Sequence, residues 1–166
     1  MLLLLVVGLA SAAAGPAAFD PAAIAGRYGR HFLNGLVDGS RYWSDDVLEI
    51  VRLDPRRAYF RAELQFYNGH QCSISGIAHS EPGDLVYREA ETNTDGGHCM
   101  LHIRPTPAGV RLVDDHSCQD HCGARGTLNG VDFDRGSRRP ITYMDRLKRS
   151  SEYKDALAEE RGETIR

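Results

Sequence analysis

Residues 57–67 read "RAYFRAELQFY". Ala58, Phe60, Ala62, Leu64 and Phe66 take alternate positions, and Arg57, Tyr59, Arg61, Glu63, Gln65 and Tyr67 fill the places between them. Successive side chains of an extended chain point to opposite faces. A period of two held over eleven residues therefore predicts a strand with one buried and one wetted face.

The flanking stretches repeat the pattern. In Gln71–His79, Cys72, Ile74, Gly76 and Ala78 share a face; in His98–Arg104, Cys99, Leu101 and Ile103 face one way and His98, Met100, His102 and Arg104 the other. Val47–Leu53, Leu85–Arg88, Val110–Val113 and Thr127–Phe133 are shorter candidates. Between the segments stand Asn34-Gly35, Asp38-Gly39, Asn68-Gly69, Pro82-Gly83, Asp95-Gly96-Gly97 and Asn129-Gly130. Asn-Gly and Asp-Gly pairs supply the positive φ angles that tight hairpin turns require. About eight short strands predict a mainly β fold, a small antiparallel β-barrel over residues 20–134, because closure removes exposed sheet edges.

After a linker at Arg135–Arg139 the period changes. In "ITYMDRLKRSSEYKDALAEE", Ile141, Met144 and Leu147, then Tyr153, Ala156 and Leu157, recur at helical spacing. A helical segment is expected over 140–162, opening at Pro140, with Ser150 or Ser151 capping a second short helix.

The chain opens "MLLLLVVGLASAAAGPAAFDP". Leu2–Ala14 is uncharged and too short to span a bilayer, which needs about 20 residues. It matches the apolar core of a secretory signal peptide, expected over residues 1–14, although no Lys or Arg precedes it. The mature chain is then periplasmic or secreted and soluble, with no membrane anchor. A net charge of −3 and the lack of any nucleic-acid motif argue against a nucleic-acid partner.

An exported chain with four cysteines is expected to form disulfides. Cys72 and Cys99 lie on inward faces of separate strands, so Cys72–Cys99 is the expected cross-barrel pair. Cys118 and Cys122, in "CQDHCGARGTLNG" (118–130), are left to close a small loop, eased by Gly123. Zinc is a weaker alternative, since neighbouring residues such as His98 and Cys99 point to opposite faces. His98, Met100 and His102 share one outward face and form a set that suits copper, though a solvated strand face is the plainer reading. No other metal and no cofactor is expected.

Catalytic motifs are lacking: there is no G-x-S-x-G, H-E-x-x-H, phosphate loop or dinucleotide fingerprint. "DDHSC" (114–118) reads as turn residues, even with Ser73 or Ser75 as an imagined nucleophile, and Asp45-Asp46 with Glu49 is the one carboxylate set that glycoside chemistry could use. The expectation is a binding protein, not an enzyme. Of Tyr42, Trp43, Tyr59, Phe60, Phe66, Tyr67 and Tyr87, most are expected in the core, with Tyr59 and Tyr67 on the outward face as a recognition surface. Residues 81–97 carry Glu81, Asp84, Glu89, Glu91 and Asp95 against one Arg88, an acidic surface suited to a basic protein partner. A barrel carrying a small ligand or copper is the alternative.

The order "CSISGIA" (72–78), "HCMLHI" (98–103) and "CQDHCGARGTLNG" resembles a group of small exported bacterial proteins. It includes the β-domain that accompanies lysozyme-inhibitor-like (LprI-type) sequences. The likeness runs from Gly26 to about Phe133 and implies a disulfide-stapled β-domain that binds, and inhibits, a basic cell-wall hydrolase. The helical, tryptophan-bearing N-terminal module of those sequences is absent here, so the likeness carries the binding β-domain further than it carries inhibition, and no inhibitory residue is named because no position matches a contact motif of the family.

Overall fold

Alternating side chains and tight turns build a meander. In the computed structural model, which describes residues 18–163, the strands are β1 (Gly26–Gly35), β2 (Arg41–Asp54), β3 (Arg57–Gln65), β4 (Gln71–Glu81), β5 (Asp84–Thr92), β6 (His98–Pro105), β7 (Gly109–Val113) and β8 (Val131–Asp134). Each pairs antiparallel with the next in one eight-stranded sheet that curls into a nearly closed barrel. The expected leader at 1–14 lies outside the described residues.

No β1–β8 ladder closes the ring among the described residues. The chain leaving β8 crosses to β1 instead. Arg27 and Arg139 exchange backbone hydrogen bonds at 2.8 Å each, and Ser137 Oγ accepts from the Gly29 amide at 3.3 Å. The outer edge of β1 beyond Gly29 keeps no strand partner among those residues.

Two helices follow, α1 (Met144–Arg149) and α2 (Ser151–Glu160). Ser150 caps α2 by accepting from the Tyr153 amide at 3.3 Å. The expected helix start at Pro140 is corrected to Met144, because residues 138–139 are still extended along β1. A first strand, β1, precedes all the candidates named from the sequence, and Asn34-Gly35 ends that strand where a turn was expected. Asn68-Gly69 does turn the chain, with φ of 61° and 73°.

The inward faces make a filled core of Tyr28, Leu48, Ile50, Phe60, Leu64, Ile74, Leu101, Ile103, Leu112 and Phe133. A second cluster sits outside the barrel, where Val51, Tyr59 and Ile77 are covered by Leu147, Tyr153 and Ala156 of the helices. Tyr59 is therefore fully buried, which corrects its expected place on an exposed face. A strand's wetted face stays wet only where no later element packs on it, and α2 packs here. Burial pushes the Tyr59 phenol up to about 12, and its hydroxyl has no partner among the described residues. Tyr59→Phe should leave stability unchanged or raise it by up to about 1 kcal/mol, since it removes a desolvated, unpaired group. Urea denaturation of the two proteins checks this; a loss above about 1 kcal/mol would reveal a partner for the hydroxyl.

The disulfides differ from expectation in pairing. Cys72 joins Cys122 and Cys99 joins Cys118. Cys72 on β4 and Cys99 on β6 are separated by β5. Strands are spaced about 4.8 Å apart, so two spacings exceed the Cα separation of about 4.4–6.8 Å that a disulfide spans. The β7–β8 connection (114–130) instead lies across the strand ends, and each of its cysteines takes one strand cysteine. The short C-x3-C loop is thus fastened at both ends, and Gln71 O accepts from the Gly123 amide at 2.8 Å to hold it down. Two disulfides place the chain in an oxidising compartment, outside the reducing cytosol. No described helix is long and apolar enough to cross a membrane.

Candidate functional site

Strands that alternate in direction bring every second loop to one end. The β1–β2 hairpin (36–40), the β3–β4 turn (66–70), the β5–β6 hairpin (93–97) and the strapped 114–130 loop all meet there. This end carries the large exposed apolar side chains: Leu33 (45% exposed), Val37 (71%), Trp43 (63%) and Tyr67 (49%). The core placement expected for Trp43 is thus corrected: it points outward on β2, in register with Leu33 on β1.

The surface is ordered by contacts of its own. His31 stacks on Trp43, with ring centroids 4.6 Å apart and planes 10° from parallel, and Asp45 Oδ1 lies 2.8 Å from His31 Nδ1. Tyr67 lies over Gly35, where a Cβ would come within 3.3 Å of its ring, and its hydroxyl donates to Leu36 O at 2.8 Å. The Val37 amide donates to Asn68 Oδ1 at 3.4 Å, joining the two turns. Leu33, Trp43 and Tyr67 are thereby held as a fixed apolar strip.

An acidic rim shares this end. Asp38, Glu91, Asp95, Asp115 and Asp120 are exposed there, against Arg41 and Arg125. Hydrogen bonds from the Thr94 amide and hydroxyl hold Asp120 below its ordinary range, and those from Ser117 do the same for Asp115. Both stay charged well into mildly acidic solution.

No protein-family model, curated protein or solved structure matches this chain.

The five acids singled out in the sequence divide. Glu91 and Asp95 belong to the rim. Glu81 is tied to Arg88 at 2.6 Å, and Glu89 to His121 at 3.1 Å. Asp84 is buried between Arg104 (2.9 Å) and His102 (2.9 Å) at the other end of the barrel. The hydrogen bonds from Arg104, and secondarily His102, hold its carboxyl below the usual range. Its contribution to stability is therefore present above the unfolded-state value and is lost as pH falls through the depressed folded value. The five acids fall on the end of β4, on β5 and in the hairpin after it, but their neighbours across the sheet decided which of them remain free.

His98, Met100 and His102 do share an outward face of β6, yet their imidazoles are engaged differently. His98 Nδ1 lies 3.1 Å from Glu91 O, and His102 turns to Asp84. Ligating atoms of Glu89, Cys99 and His121 come within 4.8 Å of one another, but Cys99 is in a disulfide and offers no thiolate. The carboxylates of β2 are divided by the sheet. Asp46 points inward to Arg30 and accepts from the Gln65 amide at 2.7 Å, while Glu49 points outward to Arg61 at 2.9 Å. Both are fully buried and on opposite faces, so they cannot flank one glycosidic bond. In "DDHSC", Asp114 and Asp115 accept from the His116 and Ser117 amides at 3.2 Å each, which is turn geometry.

Proposed function

We propose that this chain is an exported binding protein that docks a basic protein partner on the Trp43 end of its barrel. The observation that carries this reading is the exposure of the chain's single tryptophan beside Leu33, Val37 and Tyr67, at the end of the barrel that also carries exposed acids. Contiguous apolar surface of this kind marks interaction sites, and Trp and Tyr supply the anchors of most interfaces. The acidic rim adds association rate and partner choice. The sequence resemblance supplies the partner class, a basic cell-wall hydrolase of the lysozyme type, with inhibition as the outcome.

The carrier alternative receives less support. Phe60 and Leu64 are fully buried, Phe66 packs against the core, and none of the best-formed cavities is lined by these three.

The test is binding and turnover with purified lysozyme-type hydrolases at low and high salt. Trp43→Ala should weaken binding by about 2 kcal/mol or more, roughly 30-fold, in the manner of a central anchor. The pair Glu91→Lys/Asp95→Lys should act mainly on association rate, and the effect should shrink as salt is raised. If Trp43→Ala binds as tightly as the wild type, the aromatic face is not the interface.

A further inference from the structure

A second concave surface shares no residue with the Trp43 end. Arg27 on β1, Glu49 on β2 and Arg61 on β3 lie side by side in register across three strands. All three face outward, toward the helices. Glu49 is fully buried, and both of its oxygens are occupied: Oε2 takes Arg61 at 2.9 Å and Oε1 accepts from the Tyr143 hydroxyl. Burial, reinforced by that bond to Glu49, raises the Tyr143 phenol, which stays protonated. Glu49 thus acts as a post that fixes one arginine and one tyrosine.

Above it opens a cleft of about 770 Å³ between the sheet and α1, lined by Arg27, Arg61, Arg139, Tyr143, Arg146 and Glu152, among others. Arg146 stacks over the Tyr143 ring at 4.8 Å. Arg139 Nη1 donates to the carbonyls of Gly136 and Arg138. No carboxylate pairs with Arg27, Arg139 or Arg146 among the described residues. The chain as a whole carries a net charge of −3. A cleft with four arginines facing Glu49 and Glu152 is a local reversal of that sign. Like charges repel, and gathering four arginines against two carboxylates, one of them already paired with Arg61, leaves an excess of positive charge that an anionic ligand would offset.

We propose that this cleft binds a small ligand carrying two or more oxyanion groups, phosphate or carboxylate. Guanidinium forks match both geometrically, two N–H donors to two oxygens. The forks of Arg27 and Arg146, with the remaining donors of Arg139, come from separate parts of the chain and suit a ligand with more than one such group. The site is independent of the protein-docking reading and stands or falls separately.

The experiment is calorimetric titration at low ionic strength with inorganic pyrophosphate and, in a second arm, citrate. The wild type should bind one equivalent of at least one of them, with Kd below about 1 mM. Pyrophosphate alone would assign phosphate chemistry, and citrate alone carboxylate chemistry. Arg27→Gln/Arg146→Gln should weaken binding at least about tenfold, roughly the worth of one charge-assisted hydrogen bond. Because neither arginine holds an ion pair in the fold, the variant should keep the wild-type circular dichroism, which separates a loss of binding from a loss of folding. Arg161→Gln, whose arginine is paired with Glu163 on the C-terminal stretch, is the control and should bind as the wild type does. Binding of neither anion at about tenfold higher concentration, or equal affinity in wild type and double variant, would overturn the proposal. So would an equal loss in the Arg161 control, which would show non-specific charge attraction.

Discussion

Replacing Cys72 and Cys122 together by alanine is expected to cost about 4 kcal/mol of unfolding free energy. The two cysteines are 50 residues apart, and the entropy that a cross-link removes from the unfolded chain grows with the loop it closes. The Cys99/Cys118 pair closes only 19 residues and should cost about 3 kcal/mol. Urea denaturation of the two double variants measures both, and non-reducing peptide mapping checks the pairing directly. A fragment joining Cys72 to Cys99 would contradict the arrangement. The consequence reaches the functional end, because Asp115 and Asp120 of the acidic rim sit on the loop that these bonds strap down. The Cys72/Cys122 variant should therefore associate more slowly with the partner under conditions in which its barrel is still folded.

Glu49→Ala should destabilise the chain by about 3 kcal/mol, the lower end of the range for breaking a buried pair. The lower end applies because Arg61 keeps 22% side-chain exposure and can regain some water. The carboxylate is fully buried between an arginine and a tyrosine hydroxyl, so its removal strands both. The double variant Glu49→Leu/Arg61→Met removes both charges and should recover much of the loss, as hydrophobic replacements of buried ion pairs do. Thermal and urea unfolding of the single and double variants closes the cycle. If Glu49→Ala costs less than about 0.5 kcal/mol, Glu49 is not the post described here, and the arrangement of Arg61 and Tyr143 must have another cause.

The alternation in Arg57–Tyr67, and its echoes around Cys72 and Cys99, determined the strand content, the inward faces and the barrel. These are local properties: a period of two needs only the pleat, and the turn at Asn68-Gly69 needs only residues that tolerate positive φ. The spacing in 141–157 likewise determined a helical tail, and the cysteines determined an oxidising compartment. What lay beyond the sequence was every relation between segments distant along it. Strand order decided the disulfides, since β5 stands between Cys72 and Cys99. Docking of α2 decided that Tyr59 is buried while Trp43, on a strand face that nothing covers, is exposed. Pleat and register put Asp46 and Glu49 on opposite sides of one sheet. They also brought Arg27 and Arg61 beside Glu49, although the three are scattered over 35 residues of chain. Arg139 and Arg146 joined them only when the linker crossed to β1. The physical reason is common to all of these. A side chain's facing is set by its own backbone, but its exposure and its charge partners are set by whatever the rest of the chain brings against it.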